Sequence, residues 1–108
     1  MEIKNRYTDE VIGEFDISPG ADLAGVDLHH ANLAWADLRG ANLEGANLCY
    51  ANLSNANLSK ASLAGANLSH ADLRHANFER AILCYANLHK ADLSGAHFLY
   101  ADIEHTIW

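Results

Sequence analysis

Between Ala21 and His105 the chain repeats every five residues, seventeen times, without an insertion. Each unit reads Ala, then Asn or Asp, then Leu, then two free positions. Alanine holds the first position in sixteen of the seventeen units, with Val26 the exception. Leucine holds the central position in fourteen, and Phe78, Phe98 and Ile103 fill the rest. The second position is Asn or Asp in fourteen, broken by Ser62, Ile82 and His97. A repeat this strict restricts the fold to an array in which each unit stacks on its neighbours. Period five suits neither ordinary element. On a helix, successive leucines would advance by about 500° and scatter around the axis. Along a straight strand they would alternate faces, because five is odd and side chains alternate. The chain must therefore turn once per unit. Ala and Leu, two apart, point the same way in an extended segment. If the free residues make a corner, every unit presents both to one axis, and four corners close a square. Backbone groups then pair with the turns above and below, roughly 4.8 Å away.

The run A-[ND]-L-x-x from Ala21 to His105 resembles the pentapeptide repeat family over about four-fifths of the chain. The resemblance implies an all-β fold: a right-handed quadrilateral parallel β-helix with four units per coil. Residues 21–108 would then form about four coils, roughly 20 Å long at the usual strand spacing. Residues 1–20 lie outside the repeat and read as a short N-terminal β-hairpin cap and bend. Ile3–Tyr7 and Val11–Ile17 are its two strands, with Val11, Phe15 and Ile17 on one face. Solenoid ends expose core and unpaired backbone, so a cap is expected. Ser18, Pro19 and Gly20 make the bend, which keeps the lone proline out of the ladder.

The formal net charge is −7, with five acids and two bases in the first twenty residues and nine acids and five bases in the rest. That acidic balance argues against direct nucleic-acid binding. No apolar run approaches the ~18 residues of a membrane span, and the opening Met1-Glu2-Ile3-Lys4 lacks the regions of a secretory signal. A cytoplasmic protein without membrane contact is expected. Under a twenty-residue coil, Cys49 and Cys84 fall on neighbouring faces, too far apart for the ~7 Å Cα limit of a disulfide, so both are read as reduced thiols.

The Asn and Asp positions have a structural explanation: their side chains can bond backbone groups at corners, and stacked amides can form ladders. Only the free positions vary enough to encode a partner. Stacked by twenty, they give a second face with His30, Tyr50, His70 and Lys90 beside His29, Cys49, Ser69 and His89. The fourth face is basic at Arg39, Lys60 and Arg80. Zinc requires ligands converging at ~2.0–2.3 Å, and Ser69 interrupts the best trio, His29, Cys49 and His89. Neither metal nor cofactor is expected. With no loop to form a cleft, an enzyme is not expected either.

The sequence therefore reads as a non-enzymatic scaffold or protein-interaction module. The alternative comes from the resemblance: quinolone-resistance and toxin-immunity members of the family are DNA mimics that bind DNA gyrase or topoisomerase IV. This chain departs from them in its basic fourth face and in having eight Asn against six Asp at the second position. The C-terminal end is the expected association surface. Leu99, Tyr100, Ile103, Ile107 and Trp108 are not followed by a polar terminal unit. Burying such residues is worth roughly 25 cal/mol per Å², which makes a homodimer through this end the expected assembly. The competing fate for Trp108 is to fold back as a plug on its own coil.

Overall fold

In the computed structural model, which describes residues 1–108, the five-residue units become the sides of a coil. The second residue of each unit sits in a parallel bridge to the residue twenty positions on. Asp22 pairs with Asn42, Asp27 with Asn47, Asn32 with Asn52 and Asp37 with Asn57, and so upward to Asn87 with Ile107. Twenty residues make one turn, and four units share it. Three hydrogen bonds per unit join neighbouring turns. Around residues 41–45, the Asn42 N–H donates to the Ala21 carbonyl below (2.8 Å). The Leu43 and Gly45 N–H groups donate to Ser62 and Ala64 above (2.7 and 3.0 Å).

A further bond, Ala46 N–H to the Leu43 carbonyl at 3.0 Å, closes each corner as a four-residue turn. The fifth residue of the unit is the third of that turn, and its φ lies between 57° and 72° in all seventeen units. Positive φ at that place alone is the type II arrangement, which favours glycine. Glycine fills only five of the corners, and the other twelve carry side chains as large as Trp35.

Every Asn and Asp of the second position serves the same corner. Its Oδ1 accepts the N–H two residues on, at 2.9–3.4 Å, in all fourteen cases. The expected amide ladders shrink to one contact between turns, Asn47 Nδ2 to Asp27 Oδ1 at 3.2 Å.

Ala and Leu point to the axis. From Leu38 to Leu88 every first and central residue is at most 1% exposed, and each such Leu is worth about 1.5–3 kcal/mol of burial. Phe78 and Phe98, one turn apart, stack with ring centroids 5.0 Å apart and planes 6° from parallel. They fill the axis where leucines do so elsewhere.

Across the N-terminal end lies an antiparallel hairpin of β1 (Glu2–Lys4) and β2 (Val11–Glu14). Ile3 is 3% exposed, and Phe15 and Ile17 pack against the core. The hairpin bonds to one side of the first turn, through Arg6 N–H to the His30 carbonyl (2.7 Å) and Asn32 N–H to the Lys4 carbonyl (2.8 Å). Val11 does not join Phe15 and Ile17 on the inner face. The register slips between Ile3 opposite Gly13 and Lys4 opposite Val11, which makes Ile12 an extra residue. Such a bulge breaks the alternation, and Val11 is left exposed. No helix of the chain is long and apolar enough to cross a membrane.

Candidate functional site

Because corner residues recur every twenty positions, their side chains stand in columns on the outside of the coil. On the second face the column is continuous. It starts on the hairpin at Tyr7, whose ring lies 5.4 Å from His30, and His30 lies 5.4 Å from Tyr50, both edge-on. Tyr50 then stacks flat on His70 at 4.5 Å. The guanidinium of Arg6 covers the Tyr7 ring at 5.0 Å. The rings of the adjacent His29 and His30 meet edge-on at 5.0 Å. His29 Nδ1 contacts Asp27 Oδ1 at 2.7 Å, and that hydrogen bond is the main cause holding the Asp27 carboxyl below its usual range. Elsewhere Tyr85 stacks on His105 at 5.0 Å, and Arg80 lies over Tyr100 at 5.7 Å.

Asp72 is the one buried charged residue, 8% exposed. Arg74 grips it with two hydrogen bonds, Nε to Oδ1 at 2.8 Å and Nη2 to Oδ2 at 2.7 Å. Those bonds hold its carboxyl below the ordinary value against the opposing effect of burial. Arg6 reaches the same corner from the hairpin. Its Nη1 donates to the Tyr50 and Ala51 carbonyls at 3.2 and 3.3 Å, and its Nη2 lies 3.8 Å from Asp72 Oδ2. Neither residue stands out in the sequence, because no spacing links position 6 to position 72.

No three His, Cys, Asp or Glu side chains are grouped so that they could hold a metal ion. Cys49 and Cys84 are half-buried free thiols. Of the basic fourth face, Arg39 is tied to Asp37 by two bonds of 2.7 Å, which also keep the Asp37 carboxyl low.

The five C-terminal residues singled out in the sequence are all exposed, but they do not form one patch. Leu99 and Tyr100 occupy a corner, facing sideways, 58% and 75% exposed. Ile103 and Trp108 hold central positions at the open end of the core, where Trp108 meets Phe98 edge-on at 6.0 Å and is still 52% exposed. Ile107 holds a second position, with its backbone paired to the turn below through Ala86 and Leu88. Phe98, half-buried at the centre of this end, belongs with them. Its place in the central column is the sequence signal for it.

This geometry defines a class: a four-sided, parallel β-helical solenoid whose outer surface is a set of side-chain columns. The structure of HetL, a pentapeptide repeat protein involved in heterocyst differentiation regulation in the cyanobacterium Nostoc, matches with a TM-score of 0.77. It is 41% identical, over 82% of this chain and 40% of HetL. A pentapeptide repeat protein of the Arabidopsis thaliana thylakoid lumen matches with a TM-score of 0.78 and 36% identity, over 81% of this chain and 61% of its own. The chain thus spans less than two-thirds of either relative. A comparison with curated proteins gives no match. The family model for pentapeptide repeats matches eight copies, at residues 19–45, 27–64, 41–80 and 61–98. The chain belongs to the pentapeptide repeat family, and its coil is accordingly a right-handed β-helix.

Proposed function

We propose that this chain is a non-enzymatic protein-interaction module: about four coils over residues 21–108, capped by residues 1–20, that self-associates through its C-terminal end. One observation carries the reading. The upper edge of the last turn holds free strand groups beside exposed core. The N–H groups of Leu93, Phe98 and Ile103 and the carbonyls of Ala91, Ala96 and Ala101 have no backbone partner. Ile103 and Trp108 lie open beside them. Two such edges related by a two-fold axis would supply each other's donors and acceptors and cover the apolar end. The DNA-mimic reading has less support, because Asp37 and Asp72 are neutralised by the neighbouring Arg39 and Arg74. Sedimentation velocity of the 108-residue chain, and of the same chain truncated after Glu104, tests the proposal. A dimer that the truncation converts to monomer is expected. A full chain that stays monomeric at high concentration overturns it.

A further inference from the structure

At the other end, the hairpin leaves strand groups of the first turn unpaired on several sides, and one stretch of them, residues 32–37, adjoins an apolar groove. We propose that this stretch docks an extended, basic peptide segment of a partner protein, which adds as a strand and seats an apolar side chain in the adjoining groove. The argument starts from the ladder. In the second turn, the Asn52 and Ser54 carbonyls accept from Leu33 and Trp35 beneath them. The Asn57 N–H donates to Ala36, and its carbonyl accepts from Leu38. The matching groups of the first turn are the Asn32 and Ala34 carbonyls and the N–H and carbonyl of Asp37. None has a backbone partner. The hairpin takes only the Asn32 N–H on this side, and Gly20 takes the Arg39 carbonyl beyond it.

Beside these groups runs a groove of about 190 Å³ walled by Met1, Ile3, Ile17, Leu33 and Trp35. Trp35, 76% exposed, forms its outer lip. Unpaired strand groups next to an apolar pocket are the two requirements of strand addition: main-chain bonds give affinity, and a pocket for an alternate side chain gives selectivity. Charge narrows the partner further. Five acids lie within residues 1–20. Of the cations there, the Met1 ammonium is paired with Glu14 at 2.9 Å, Lys4 sits 3.8 Å from Asp9, and Arg6 is held on the Tyr50 and Ala51 carbonyls, which leaves Glu2, Glu10 and Asp16 without an ion-pair partner. The segment that fits is therefore extended, with an apolar residue flanked by Lys or Arg.

This site lies at the opposite end from the proposed self-association and does not depend on it. The probe is a short, fluorescein-labelled peptide of alternating Leu and Lys with a central Gly to round the corner, followed by fluorescence anisotropy. Its partner in the test is the same peptide methylated on alternate backbone nitrogens, which keeps side chains and charge but removes donors. Saturable binding is expected, weakened at least about tenfold by methylation and by Ala34→Arg, which fills the groove at a residue outside the core. Tyr85→Ser, on another face, should leave it unchanged, and circular dichroism confirms that both variants fold. Absent binding, equal binding of the methylated peptide, or equal loss with Tyr85→Ser overturns the proposal.

Discussion

Replacing one corner glycine by alanine isolates what the left-handed corners cost. Gly45 has φ of 66°, and a Cβ built there meets nothing within 4 Å. Gly45→Ala therefore adds no clash, only an L-residue in the left-handed region, at about 1–2 kcal/mol. Alanine restricts the unfolded chain and returns about 0.4–1 kcal/mol. The net expectation is a loss of about 1 kcal/mol. The mirror change is Lys60→Gly. Lys60 has φ of 60°, so the same two effects reverse sign and stability should rise by up to about 1 kcal/mol. Urea unfolding followed by far-UV circular dichroism reads both. At the ~1–3 kcal/mol/M slope of small proteins, the midpoints should move in opposite directions by about 0.3–1 M. Gly95→Ala should cost more than Gly45→Ala, because the His75 imidazole occupies the place of its Cβ. If Gly45→Ala matches or exceeds the wild-type midpoint, corner strain is not a term in this fold.

The Phe78 and Phe98 pair tests depth in the solenoid. Phe78 is fully buried, so Phe78→Ala should lose about 3–5 kcal/mol, and Phe98→Ala, half-buried in the last turn, clearly less by the same urea assay; equal losses would contradict the burial. Asp72 predicts a pH dependence. Its carboxyl is held below the usual range, chiefly by the Arg74 hydrogen bonds, so its contribution is complete above the unfolded value of about 3.9 and fades as pH falls through the lowered folded value. The midpoints of wild type and Asp72→Asn should differ at neutral pH and converge as pH falls through the lowered folded value; a constant gap would refute the linkage.

The core was legible in the sequence because it uses only two letters. Ala and Leu at fixed offsets within a five-residue unit leave one way to bury both, and twenty-residue stacking then places Phe78 on Phe98. The corner role of Asn and Asp was equally readable, since short polar side chains bond the backbone nearby. The left-handed corners were not. Glycine marks five of them, but His30, Trp35 and Lys60 hide the requirement in the others. Stacking makes the strain tolerable there, so the sequence need not obey the local preference. The Arg6 contact with Asp72 was hidden for a different reason: it joins a segment outside the repeat to one inside it, and periodicity says nothing about such a pair. Val11 was misplaced by one extra residue in β2, which alternation alone cannot reveal. At the C-terminal end the unit position does tell Tyr100, a corner residue, from Ile103 and Trp108 on the axis.

The interior and the exterior of this coil are written in different reading frames. The interior repeats every five residues, so losing a unit such as 56–60 would still deliver Ala and Leu to the axis. The exterior repeats every twenty, so the same loss would turn everything downstream back by a quarter. Tyr50 would find His75 above it in place of His70, and the carboxylate facing Arg6 would give way to the amide of Asn77. Only a change of four units leaves each column in place. Small slips in copying such a gene could therefore redraw its binding faces wholesale while the fold beneath them stays the same.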